Sequence, residues 1–235
     1  MLEARKVVIA CATVIEELLP LLPPGVGYRV LDFGLHSNPN RLREILQHAV
    51  DEASEKADVI VLGYGLCSSG VIGVSATRST LIIPRVDDCI AIFLGSRAAH
   101  RAQLDAEPGT YYLTKGWIDA GYSPFGEYQR MAARRGYERA ERLIRLMFEN
   151  YTRLALINTG QYEMERCRAY ARHTAEHLGL RYEEIDGSTA LVRKLVNGPW
   201  DDDFIVVKPG HTIDYDDFWS NGTESRAAAR TSLDG

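Results

Sequence analysis

Three cysteines stand out by their local context rather than by their mutual spacing. Cys11 ends the apolar run KVVIAC, Cys67 follows DVIVLG through Tyr64, Gly65 and Leu66, and Cys89 follows TLIIP through Arg85, Val86, Asp87 and Asp88. Each time a Val/Ile-rich segment of strand length comes first, and a stretch that can start a helix comes next. In an open parallel sheet the C-terminal strand ends lie along one edge, where ligands bind. Helix N-termini there present unpaired N–H groups and the positive end of the helix dipole. That setting is expected to lower thiol pKa values and to favour the thiolate, the form that binds metals. Cys11, Cys67 and Cys89 are therefore the candidate metal ligands. Ser68, Ser69 and Gly70 would let backbone amides approach a sulfur or an anion.

Three thiolates suit two centres. Zinc would take them with His36, or with water at a catalytic site. A 4Fe-4S cluster would bind the three thiolates and leave one iron open to substrate, although the local CxxC runs of ferredoxins are absent. The wide dispersal of the cysteines disfavours a zinc ribbon, whose ligands come in local pairs, and suits a substrate-binding centre cupped between lobes. His36, after the strand-like run 28–33, and Asp88 are candidate catalytic groups. Tyr64, Ser68 and Arg85 would line a substrate pocket. Plainer roles stand beside these. Cysteine is often only a small buried hydrophobe, and Asp88 is a natural helix N-cap. Cys167 lies within a helical stretch among charged neighbours and reads as structural. His48, His100, His173 and His177 also fall on helical stretches; the last pair, spaced i, i+4, reads as a solvated face.

Positioning these residues requires an α/β framework. Strands are expected at 5–11, 28–33, 58–63, 80–84, 110–113, 153–157, 181–185 and 203–207. Amphipathic helices fill the gaps, among them 40–56, 89–103, 161–178 and 188–197, and a long one ends near Asn150. The alternation predicts mostly parallel sheets flanked by helices, arranged as two Rossmann-like lobes with a cleft. The expected division is an N-terminal lobe at 1–105 carrying the cysteines, an aromatic loop and connecting helix at 106–150, a C-terminal lobe at 151–210 and a flexible tail at 211–235. The aromatics Trp117, Tyr122, Phe125 and Tyr128 are either a contact surface or a loop core.

The 235 residues carry a formal net charge of −5, which gives no electrostatic draw toward nucleic acid or an anionic membrane. The N-terminus lacks the signal-peptide pattern and no run of about eighteen apolar residues occurs, so a cytoplasmic protein is expected. No dinucleotide, Walker or nucleophile-elbow pattern follows any strand.

The segments VIACATVIEELLP, Leu35-His36 with Asn38-Pro39, VLGYGLCSSGVIG, IPRVDDCIAIFLGS, GTYYLTKGW and LALINTG resemble the prokaryotic domain-of-unknown-function family 1638 over roughly residues 6–210. The family usually has His-Asp-Cys where this chain has Asp87-Asp88-Cys89. Its members are found mostly in anaerobes, often beside corrinoid-dependent methyl-transfer systems. The resemblance thus implies one-carbon or sulfur chemistry on a small-molecule substrate, with a corrinoid protein or methyltransferase as partner. Three readings follow. One is an iron–sulfur centre with an open iron, another a zinc-thiolate methyl- or acyl-transfer enzyme. The third is a non-catalytic module that binds a corrinoid or a partner.

Overall fold

The computed structural model describes residues 4–219, which form two sheets. The continuous apolar run of Lys6–Cys11 (β1) sits inside the first sheet, with Val8 to Ala10 fully buried. The chain passes directly into a helix, Ala12–Leu18 (α1), whose N-cap is Cys11 itself. Gly27–Leu31 (β2) pairs parallel with β1 and forms one edge. A short helical turn at Phe33–Ser37 leads into Pro39–Ser54 (α2), which Asn38 caps by accepting from the Arg41 N–H. Leu42, Leu46 and Val50 recur at helical spacing, and α2 buries them against β1 and the next strand.

That strand, Val59–Gly63 (β3), lies on the other side of β1, and Thr80–Pro84 (β4) lies beyond it, both parallel. Cys89–Leu94 (α3) and Arg97–Ala106 (α4) follow. One helix was expected over 89–103. It breaks because Gly95 takes a left-handed φ of 85° and Ser96 starts a new helix as N-cap. The second sheet begins with Thr110–Leu113 (β5). Three helices come next: Lys115–Asp119 (α5), Pro124–Arg135 (α6) and Tyr137–Phe148 (α7). Gly136, at φ 81°, divides the expected long helix into α6 and α7. Arg153–Asn158 (β6), Glu165–Leu178 (α8) and Arg181–Asp186 (β7) complete a parallel sheet of order β5-β6-β7.

The chain then returns to the first sheet. Ala190–Asn197 (α9) packs on α1 and β4, and Phe204–Val207 (β8) pairs antiparallel with β4, giving the order β2-β1-β3-β4-β8. The 203–207 strand, expected with the C-terminal lobe, therefore belongs to the first sheet. Its continuation is anchored too. Ile213 is buried, as is Phe218 of the last helix, Tyr215–Trp219 (α10), so the start of the expected flexible tail is anchored at these two residues. Residues 220–235 of that tail lie outside the described residues. No helix among the described residues is long and apolar enough to cross a membrane.

Candidate thiol site at the sheet edge

Strand order β2-β1-β3-β4 means that the loops leaving these strands lie side by side. They carry, in the same spatial order, His36, Cys11, Cys67 and Cys89. Neighbouring strands stand about 4.8 Å apart, so residues dozens of positions apart in sequence become neighbours. The chain leaves β1 for β2 on one side and β3 on the other. Cys11 and Cys67 thus flank the switch point, where α/β sheets bind ligands.

Close backbone approach tightens this edge. A Cβ on Gly63 would stand 2.6 Å from that of Ala10, so glycine lets the end of β3 close on the residue before Cys11. At Gly65 a Cβ would meet the Val86 carbonyl at 2.9 Å. The Leu66 N–H donates to Val86 O at 2.9 Å and the Cys67 N–H to Asp87 O at 3.2 Å, which lashes the Cys67 turn to the segment just before Cys89. Cys67 and Ser69 both adopt left-handed φ values, 45° and 72°. Such values are strained for residues with a side chain, and this kind of strain gathers at functional sites.

All three cysteines are free and buried, with exposures of 1 %, 7 % and 7 % for Cys11, Cys67 and Cys89. Burial raises each thiol pKa, first by desolvation of the thiolate. Neighbouring thiolates add to this. Cys11 acts on Cys67, and both act on Cys89, as does Asp88. For Cys11, bonds from Thr13 and from nearby backbone N–H groups oppose the rise without overcoming it. The expectation of lowered thiol pKa values is thus overturned, because loss of solvent outweighs the helix N-termini.

Among the described residues, no group of three His, Cys, Asp or Glu side chains is already disposed to hold a metal ion. Cys11 Sγ, for one, is engaged with Thr13 Oγ1 at 3.1 Å. The donor chemistry nevertheless fits a soft cation. A cation brought among mutually repelling, desolvated thiols reverses their preference, since a coordinating thiol loses its proton outright.

His36 fits as well. Its Nδ1 lies 2.9 Å from the Phe33 carbonyl, an acceptor, so Nδ1 carries the proton and Nε2 keeps its lone pair. That Nε2 is buried and has no hydrogen-bond partner, and burial holds the His36 pKa below its ordinary value. Tyr64 is fully buried, and its hydroxyl also lacks a partner. Desolvation, then Cys11 and Cys67, push the Tyr64 pKa well above its ordinary value and keep the hydroxyl protonated. The His36 and Tyr64 rings stack with centroids 6.0 Å apart.

Asp88 and Arg85 have structural partners. Asp88 caps α3, accepting from the Ile90 N–H at 2.9 Å, with His100 Nδ1 3.7 Å from the same oxygen. Arg85, expected to line the pocket, donates instead to the carbonyls of Asp202, Phe204 and Asp217 and clamps the C-terminal segment onto β4. Ser68 lies in the short turn Cys67–Ser69, between the two left-handed residues.

The second sheet brings its own C-terminal edge to the first. Gly116, after β5, abuts Thr13 so closely that a Cβ would stand 2.9 Å from Thr13 Cα. Thr159 and Gln161, after β6, donate to the buried Glu17 carboxylate of α1. After β7, the Ser188 N–H donates to Phe93 O of α3 at 2.8 Å.

Phe33 joins the two sides, touching His36, Trp117 and Tyr122 with centroids 4.9, 6.0 and 4.7 Å away. The aromatics of the segment read as a contact surface or loop core are half-buried and pack on neighbouring rings. Trp117 and Tyr122 pack on Phe33, while Phe125 packs on Tyr170, His173 and His177. His173 is exposed and His177 half-buried, and both rings pack on Phe125. Sequence reasoning gave no role to His100 or to the buried, unpartnered Nε1 of Trp117. Neither carries a local signal, because both depend on contacts across the fold.

No curated protein and no solved structure matches the chain. The family described as "Protein of unknown function (DUF1638)" matches residues 30–196, a span that holds His36, Tyr64, Cys67 and Cys89 but begins after Cys11. The chain belongs to this family of proteins of unknown function, DUF1638.

Proposed function

We propose that Cys11, Cys67 and Cys89 hold a metal centre at which a small molecule is bound, and that this centre is an iron–sulfur cluster with one iron left open. The reading is carried by the strand order, which sets three buried cysteines on adjacent strand ends at the switch point, together with the hydrogen bonds that lash the Cys67 turn to the segment before Cys89. Three desolvated thiols that raise one another's pKa are costly as thiolates unless a cation neutralises them. An open iron would supply a Lewis acid to an oxygen, nitrogen or sulfur atom of the bound molecule. Around it, Tyr64 offers a hydroxyl that stays protonated, and His36 offers a neutral ring with a free Nε2. The walls are Phe33, Trp117 and the turn at Cys67. One-carbon or sulfur metabolism, with a corrinoid protein or methyltransferase as partner, remains part of this proposal on the strength of the family resemblance.

The unpartnered Nε2 favours a second reading, zinc on the three thiolates and His36. Anaerobic purification followed by iron, sulfide and zinc analysis separates the two. About four irons with matching sulfide per chain, lost in each Cys→Ser variant and kept in His36→Ala, supports the cluster. One zinc, weakened by His36→Ala, supports the second reading. Metal content unchanged in all three Cys→Ser variants would sink both.

A further inference from the structure

Each sheet ends in two edge strands, and three of these edges are guarded. β5 is buried except for the half-buried Tyr111. β7 carries Arg181, Glu183, Glu184 and Asp186. β8 exposes Val206 but runs straight into Lys208 and Pro209. Burial, charge and proline are the usual means of keeping an edge from pairing with another chain. The remaining edge, β2, lacks them. Tyr28 is 54 % exposed and Val30 44 %, and the single charge of the strand, Arg29, is paired with Glu52 of α2. β2 pairs with β1 on one side only, so among the described residues no strand takes up the backbone groups of its outer side.

The exposed pattern of β2 is its own complement. Side chains alternate along a strand, so Tyr28 and Val30 share one face while Arg29 takes the other, toward α2. A two-fold axis through Arg29 sets a second β2 antiparallel to the first. Tyr28 of each copy then stands opposite Val30 of the other. Aromatic against β-branched is a favourable cross-strand pair, and it occurs twice, as a closed two-fold interface requires. On the opposite face the axis brings the two Arg29–Glu52 pairs together. Both side chains of that pair are exposed, and each Glu52 supplies the charge that the other copy's Arg29 needs, so the four groups alternate in sign.

We propose that two copies of this chain pair antiparallel through β2 and join their larger sheets into one. A second copy fits better than an unrelated strand because one short segment supplies both halves of the match, in side chains and in charge. The pairing does not depend on the thiol site or on any metal.

Sedimentation velocity of the full chain from about 1 to 100 µM tests it, a span suited to an interface of modest size. A concentration-dependent dimer is expected. Hydrogen exchange on the same samples should show the amides of Gly27–Leu31 slowed at least about tenfold in the dimer. Tyr28→Lys and Val30→Lys each set a charge against an apolar side chain of the other copy, twice per dimer. Each should weaken association at least about tenfold. A chain that stays monomeric across the whole span overturns the proposal. So does a dimer that either variant leaves as tight, or one whose β2 amides exchange equally fast in dilute and concentrated samples. Sedimentation and exchange are both read on the unaltered chain, so the outcome does not hang on a variant that fails to fold.

Discussion

Tyr64→Phe gives a stability test of opposite sign to the usual one. Removing a buried tyrosine hydroxyl normally destabilises a protein, because a hydrogen bond is lost. Here the hydroxyl is fully buried and bonds to nothing. Leaving such a group unsatisfied costs about 1–3 kcal/mol, so its deletion should return about 1 kcal/mol or more to the metal-free chain. For a chain of 235 residues that corresponds to a Tm rise of about 2–4 °C. Tyr170 is the control, since its hydroxyl is hydrogen-bonded to Ser123 Oγ. Tyr170→Phe should lower stability by about 1 kcal/mol and move Tm down by a similar amount. Circular dichroism melts of both variants in chelator decide the matter. If Tyr64→Phe lowers Tm as Tyr170→Phe does, the hydroxyl has a partner in the apo protein and the argument from unpaired atoms fails.

Other expected outcomes follow from the junction and the second lobe. Arg153 is buried at the foot of β6, held by Thr110 and Gln103 and paired with Glu107 and Glu183. Arg153→Ala should therefore cost about 3 kcal/mol, read from urea unfolding. Gly116→Ala drives a methyl into the Thr13 backbone at 2.9 Å. It should cost about 1–3 kcal/mol and speed proteolysis between the lobes; an unchanged melt would show that the edges can part freely. Glu17 carries a pKa raised above 4.5 by burial, so its folded state favours the protonated form. Its contribution is complete below pH 4.5 and is lost as pH rises through the folded value. Glu17→Gln should flatten that decline in Tm, and a parallel pH profile in the variant would refute it.

The framework was legible because its signals are local. The unbroken apolar runs of β1, β3 and β4 announce parallel strands covered on both faces, and the strand-then-helix rhythm places each cysteine at a C-terminal strand end. Two breaks were missed for a shared reason. Gly95 and Gly136 sit inside amphipathic patterns, and periodicity does not register one residue with positive φ. The destination of β8 was hidden as well. Four apolar residues suit either sheet, and the decision falls to Arg85, whose bonds to Asp202, Phe204 and Asp217 fasten the returning chain to β4. The same bonds explain why Arg85 looked like a ligand-binding residue in sequence: a cation beside two aspartates at a strand end has the same local appearance in either role.

The sign of the thiol pKa shift turns on a balance that sequence does not contain. Helix N-termini lie at Cys11 and Cys89, and their fields favour a thiolate. A dipole effect of about 0.3–1 kcal/mol is small beside the cost of desolvating an ion, and depth of burial is a property of the assembled fold. Once Gly63 and Gly65 let the β1, β3 and β4 loops close on one another, each sulfur replaces solvent around the next. The closeness that makes these cysteines a plausible set of ligands thus also makes them poor thiolates in the apo protein. Metal binding should accordingly release close to three protons per chain near neutral pH, whereas pre-ionised thiols would release almost none. Proton release measured in two buffers of different ionisation enthalpy would distinguish a site charged in advance from one that its metal must ionise.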